Sequence, residues 1–330
     1  MEHLTFVTHR NSIVDKLVRE HQRGTGKLLA LRGGATTMQK RREFNRELRK
    51  HRALRSRRCH GAFCGGEIIE TKETKAGKAL PAIRLPSGAV IYPDGDPESA
   101  LIGDGAAGYV FAYDKSKVLK LSEDDSDVRA LDQIESTGAH CGQIGGVVVG
   151  KLAGDSAVVL DRMQHNALQG RNKLIEAVRL KEQCTEEEAC LRVAETIRQQ
   201  ITCLLDKGLY YLDLKSLNVM FNLDDKKYVA KLSLVDLGSI KAEGEAMEKV
   251  LMTYNDCGDG DDDGDDVGAK VGCIAYQLGM FLAELISRGQ VGSREQAREY
   301  LPERTRALLD DTPDTAITAL MTPLFLPAVN

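Results

Sequence analysis

Asp213, Lys215 and Asn218 fall within one six-residue span, inside Tyr210-Tyr211-Leu212-Asp213-Leu214-Lys215-Ser216-Leu217-Asn218-Val219-Met220-Phe221. A carboxylate in a short loop can take a proton from an attacking hydroxyl. A lysine beside it can neutralise charge on a transferring phosphoryl group, and an asparagine oxygen is a hard, neutral ligand suited to Mg2+. A second carboxylate, Asp236, stands in Leu234-Val235-Asp236-Leu237-Gly238 and would complete a metal site if its loop met the first. Upstream, Gly103, Gly105 and Gly108 have the G-x-G-x-x-G spacing that lets backbone N–H groups approach phosphates closely. Rossmann folds use similar spacing, but there the fingerprint opens a helix. Here Tyr109 to Tyr113 reads as a strand, Asp114-Lys115-Ser116 as a turn, and Lys117 to Leu121 as another strand.

These residues need elements to hold them. From Thr185 to Lys207 the pattern is helical: Thr185 can cap, Glu186, Glu187 and Glu188 suit the positive end of the dipole, and Leu191, Ala194, Ile197 and Ile201 make an apolar face. Gly208 ends this helix just before the Asp213 loop. Gly145 to Gly150 and Ser156 to Leu160 read as two buried strands. A helix is expected between Ser122 and Ile134, and Val271 to Ile286 reads as a second, strongly apolar one. Ile83-Arg84-Leu85 and Ala89 to Tyr92 flank Pro86-Ser87-Gly88 as a short hairpin.

Taken in order, the glycine loop with a following lysine, the Asp-Leu-Lys-x-x-Asn loop and the Asp-Leu-Gly resemble the protein-kinase family. The resemblance covers residues 98 to 290, more than half of the chain. It implies an α+β, two-lobed kinase-like fold: a small β-rich N-lobe with its hinge at 98–163 and a mainly helical, reduced C-lobe at 164–330. A basic arm (1–65) and a linker or extra hairpin (66–97) would precede them. ATP would lie in the cleft, with Gly103, Gly105 and Gly108 over its phosphates and Lys120 on the α/β-phosphates. Val110, Val118 and Met220 would sandwich adenine, Leu160 would face the back of the pocket, and the hinge Asp161-Arg162-Met163 would pair with the base. Asn218 and Asp236 would hold Mg2+, Asp213 would orient and deprotonate the acceptor, and Lys215 would stabilise the transferred group. Helical spacing to Leu131 and Ile134 makes Asp127 the partner of Lys120, with Glu123 and Glu135 as alternatives. The family uses glutamate there, so the shorter aspartate requires a closer helix or a bridging water.

Other positions depart from the family pattern. Tyr211-Leu212 replaces His-Arg, so no arginine is present to bind a phosphorylated activation segment, and no Ala-Pro-Glu terminus follows Gly238. Ile274 stands where the buried C-lobe helix usually carries an aspartate that grips the catalytic loop. Lys215 two residues after the aspartate is the Ser/Thr form, which implies a protein serine/threonine substrate. A small-molecule kinase of the same fold, a pseudokinase scaffold and a nucleic-acid-binding protein working through the basic arm are the alternative readings.

The chain has 330 residues, 42% of them hydrophobic, and a net charge of −4, which excludes a nucleic-acid binder by overall charge. Its N-terminus lacks an apolar leader region, and no run in the sequence reads as a membrane span. Eight cysteines without C-x-x-C pairs suggest reduced thiols in an intracellular, cytoplasmic protein. The basic residues between Lys40 and Arg58 suit nuclear import or an anionic partner. Cys59, His60 and Cys64 offer a sparse zinc-like start. The acidic block 256–266 offers half of an EF-hand pattern, with Lys270 at the position that needs a bidentate acid.

Overall fold

The computed structural model describes residues 66–70, 73–74, 77–78, 80–95, 97–105, 108–152, 155–243, 245, 267–289, 291–310 and 312–325. The basic arm, the Cys59 cluster, most of the segment after Gly238 and the acidic block lie outside these residues.

The described chain is α+β and two-lobed, the kinase-like arrangement expected from the sequence. Strands β1 (Glu67–Glu70), β4 (Ala82–Arg84) and β5 (Val90–Ile91) form one antiparallel sheet, and β2 (Glu73–Thr74) and β3 (Gly77–Lys78) a small ribbon. The helical turn α1 (Pro97–Ala100) leads into a five-stranded antiparallel sheet. That sheet comprises β6 (Leu101–Gly105), β7 (Gly108–Tyr113), β8 (Lys117–Ser122), β9 (Gly146–Leu152) and β10 (Asp155–Asp161), in the order β6-β7-β8-β10-β9. Helix α2 (Ser126–Thr137) crosses between β8 and β9.

Strand periodicity decides which face of this sheet does what. Along β8, Val118 points to the main core, while Leu119 and Leu121 join a second cluster with Ile83, Ile91, Tyr113, Ala157 and Val159. Residues 80–91, a linker or hairpin by sequence, thus cover the outer face of the N-lobe sheet. Tyr113 seals the join by donating its hydroxyl to the Pro81 carbonyl at 2.8 Å. Lys120, two residues from Val118, is thereby directed to the inner face with it.

After the hinge come β11 (His165–Asn166), α3 (Arg171–Glu182), α4 (Glu186–Leu205), β12 (Leu209–Tyr211), β13 (Val219–Leu223), β14 (Val229–Leu234) and β15 (Ile240–Ala242). Then follow α5 (Val267–Ser287), α6 (Arg294–Tyr300), a 3-10 segment (Glu303–Leu309) and α7 (Pro313–Met321). The α4 start is a capping box: Glu188 N donates to Thr185 Oγ1 at 3.2 Å, and Thr185 N to Glu188 Oε2 at 2.8 Å. Gly208 takes φ 71°, the left-handed conformation that releases the chain into β12. Among the described residues, α5 has a stretch, Lys270–Ser287, long and apolar enough to cross a membrane, which the sequence reading had not marked. Val271, Ile274, Leu278, Phe281 and Leu285 are all buried, as expected of the central helix of a core.

One expectation is overturned. Cys141, in the loop after α2, is joined to Cys203 on α4 by a disulfide with 5.6 Å between Cα atoms. Cys273 on α5 is also disulfide-bonded. Cys184 and Cys190 are free thiols.

Candidate active site

Two loops meet at the centre of the molecule. The first, between β12 and β13, carries Asp213, Lys215 and Asn218; the second, between β14 and β15, carries Asp236. Their flanking strands pair, Leu209 with Ala242 and Tyr211 with Ile240 on one side, Val219 with Leu234 on the other. Between the strands, Val235 N donates to Asn218 O at 2.9 Å and Leu212 N to Ser239 O at 3.2 Å. Tyr211, fully buried, donates its hydroxyl to the Val235 carbonyl. Burial, reinforced by the carboxylates of Asp236 and Asp213, raises the Tyr211 pKa well above its ordinary value, so it stays a neutral donor. Leu212, the position without the family's arginine, is buried in the core.

Within the first loop, Asp213 Oδ2 accepts from Lys215 Nζ at 2.7 Å and from Asn218 Nδ2 at 3.0 Å. Asn218 Nδ2 also donates to the Asp213 carbonyl at 2.9 Å. The amide nitrogen is thus committed to Asp213, which orients the amide and presents Oδ1 as the remaining oxygen donor. Asp236 takes φ 58° and ψ 62°, a left-handed conformation that aspartate tolerates better than most residues.

Lys120 connects the lobes. Its Nζ lies 2.9 Å from Asp127 Oδ2 and 2.8 Å from Asp236 Oδ1, and the residue is buried. Burial alone would lower its pKa, but Asp236 and Asp127 more than offset that and raise it, so the ammonium is held charged. Asp127 is therefore the partner of Lys120, through a direct contact with no water needed. The reason is the connection: only Glu123, Asp124 and Asp125 separate β8 from α2, so Asp127 sits in the first helical turn, against the strand end. Its carboxylate is further fixed by Ser122 Oγ at 3.1 Å and Gly238 N at 3.1 Å.

The glycine loop is the β6–β7 hairpin, with Gly105 opposite Gly108 and Gly103 opposite Val110. Gly108 takes φ 114°, and a Cβ there would drive into the Leu121 carbonyl. Val118, Leu160 and Met163 belong to the main core, with Val110 and Met220 packed against it. At the hinge, Asp161 N already donates to Gly145 O at 3.0 Å and Arg162 N to Ser116 O at 2.8 Å. Asp161 would therefore meet a base through its carbonyl. Its carboxylate faces elsewhere, 2.7 Å from Lys117 Nζ and 2.8 Å from Lys231 Nζ. Burial raises its pKa, yet the two lysines prevail and hold it below the ordinary carboxylate range.

Two residues escaped the sequence reading. Ile274 is buried and does not grip the catalytic loop; Gln277, one turn on, does, through Leu212 O at 2.7 Å and Leu214 N at 3.0 Å. Glu284 on the same helix receives Ser216 Oγ at 2.5 Å. The only signal for either was a polar residue inside an apolar helix.

Among the described residues no cluster of three His, Cys, Asp or Glu side chains has metal-site geometry. The donors that remain, Asn218 Oδ1 and the second oxygen of Asp236, suit Mg2+, which takes few protein oxygens and keeps its waters.

No family model and no curated protein matches the chain. Among solved structures it is similar to a ROP18 kinase domain in complex with AMP-PNP and sucrose, at 12% identity and TM-score 0.47, over 79% of this chain and 82% of that one. It is also similar to a Toxoplasma gondii specific rhoptry antigen kinase domain, at 13% identity and TM-score 0.48, over 77% of this chain and 83% of that one.

Proposed function

We propose that this protein is an ATP- and Mg2+-dependent phosphotransferase acting on serine or threonine hydroxyls of proteins. The observation that carries the reading is the meeting of three distant segments: the Lys120 ammonium lies between Asp127 and Asp236, and the Asp236 loop is zipped to the loop of Asp213, Lys215 and Asn218. A structural loop has no need of a buried lysine shared by two carboxylates next to a third carboxylate with its own lysine.

In this reading the β6–β7 hairpin covers the phosphates and Lys120 binds them, while Val110, Val118 and Met220 enclose adenine beside Met163. Asp213 accepts the proton of the attacking hydroxyl, and Lys215, already 2.7 Å from it, turns to the transferred group. Asn218 and Asp236 would hold Mg2+, which supplies neutralisation of phosphate charge. Tyr211 holds the two loops together as a neutral donor, so the site is assembled without a phosphorylated activation segment.

The test is Mg2+-dependent transfer from labelled ATP to a serine-rich basic protein and to the protein itself, for wild type, Asp213→Ala and Asp236→Ala. Transfer lost in both variants supports the reading. Nucleotide binding weakened by Asp236→Ala, with no transfer in wild type, points to a small-molecule acceptor or a scaffold. Absence of both transfer and nucleotide binding refutes it.

A further inference from the structure

We infer that Gln277 and Glu284 are positioning residues that lock the main chain of the catalytic loop, with Gln277 replacing by a neutral amide the carboxylate expected on the central helix. The inference rests on the proposed phosphotransferase reading for its kinetic arm, but its geometry stands independently.

The Gln277 contacts fall on the two peptide units that flank Asp213. Leu212 O belongs to the unit before it and Leu214 N to the unit after it, and Gln277 holds the first at 2.7 Å and the second at 3.0 Å. Fixing both neighbours fixes the φ and ψ of Asp213 itself, and hence the direction in which its carboxylate leaves the backbone. One contact needs a donor and the other an acceptor. A carboxylate offers only acceptors, whereas a primary amide carries both on one carbon. Gln277 Nε2 also lies 3.6 Å from Cys273 Sγ, one turn back on α5, which gives the second amide proton a partner and sets which way the amide faces. Gln277 is fully buried, so water cannot replace either contact.

Glu284 lies seven residues further along α5, two turns on and on the same face. It accepts from Ser216 Oγ at 2.5 Å, and both groups are buried. The loop is thus pinned at 212–214 and again at 216, while Lys215 between the pins keeps its side chain part exposed. The C-terminal end of α5 is anchored in turn by the buried Arg171, whose Nε donates to Leu285 O at 2.6 Å. One rigid helix therefore sets the register of the loop from Leu212 to Ser216, an arrangement of the kind that makes a site precise.

Two substitutions at Gln277 test this. Gln277→Leu removes both contacts. Gln277→Glu, of the same shape, keeps an acceptor for Leu214 N and sets an oxygen against Leu212 O. Amide hydrogen exchange of residues 209–218 reads the loop directly, alongside kcat and KM for ATP. Met280→Leu, a volume-conserving change at a buried position on the same face of the helix, is the control for general loosening. We expect the Leu214 amide to exchange about 5-fold faster in Gln277→Leu than in wild type, and Gln277→Glu, which keeps that acceptor, to lose order on the Leu212 side of the loop. We expect kcat to fall roughly 100-fold, with KM for ATP changed less than about threefold, because a loop displaced by an ångström loses alignment before affinity. Met280→Leu should change neither the exchange nor the split between kcat and KM. Unchanged exchange at 209–218 in both Gln277 variants overturns the inference, as does a parallel change in Met280→Leu. If wild type transfers no phosphoryl group to protein, the serine/threonine reading fails, and the exchange measurement alone decides the clamp.

Discussion

Asp127→Glu would restore the acid that kinases carry at this position, and the structure says that it should do harm. The side chain of Asp127 is 1% exposed. It is held on three sides at contact distance: Lys120 Nζ at 2.9 Å, Ser122 Oγ at 3.1 Å and Gly238 N at 3.1 Å. One added methylene lengthens the chain by about 1.5 Å, with no slack on any side. The Gly238 side offers no spare room, because a Cβ on Gly238 would already lie 2.5 Å from Ser126 Oγ at the α2 start. Overpacking of this kind costs about 1–3 kcal/mol. For a domain of this size that is a fall in Tm of roughly 2 to 12 °C. Lys120 is displaced with its partner, so kcat/KM for ATP should fall by at least about tenfold. Thermal unfolding and steady-state kinetics at varied ATP check both numbers. A variant that melts at or above wild type and uses ATP equally well would refute the reasoning that the short connection between β8 and α2 is matched to aspartate.

Two further outcomes are expected. Replacing both Cys141 and Cys203 by serine opens a covalent loop of sequence separation 62, for which chain entropy gives about 4 kcal/mol of lost stability; a urea midpoint unchanged from the oxidised wild type counts against the bond. The Glu186 carboxyl is drawn from 4.5 down to about 2 by hydrogen bonds from Arg288 and Arg171, so it adds stability above its unfolded pKa that is lost as pH falls through the folded one. Glu186→Gln should therefore be less stable than wild type at pH 6, with the gap closing between about pH 5 and pH 2; a gap independent of pH contradicts that account.

The elements of the candidate site were legible because each is local. Asp213, Lys215 and Asn218 sit at fixed offsets in one loop. The glycines, Val110 and Lys120 sit on one strand–turn–strand unit, where period two places side chains on faces. Asp127 followed from helical spacing to Leu131 and Ile134, although the length of the connection that makes it fit is a property of the folded chain. What failed to show was non-local. Gln277 meets the loop across more than sixty residues, and a lone amide in an apolar helix has no motif. The pairing of Cys141 with Cys203 could not be deduced, since connectivity is not written in cysteine spacing. The cover formed by residues 80–91 was weakly patterned because so short a sheet buries only Ile83 and Ile91 as large apolar groups.

The bond between Cys141 and Cys203 has a topological consequence. The backbone from 141 to 203 together with the disulfide is a closed ring, and the hinge segment Asp161-Arg162-Met163 is part of its circumference. Two lobes joined by one strand of chain can swing about a single axle. Here a second covalent link lies at the loop behind α2, where Ile144 N also donates to Leu234 O at 2.9 Å. Two covalent links favour opening of the cleft by rotation about the line that joins them, and they oppose sliding or twisting of one lobe over the other while the ring is closed. Reduction would return the missing degrees of freedom, and the same polypeptide would move differently in reducing and oxidising surroundings.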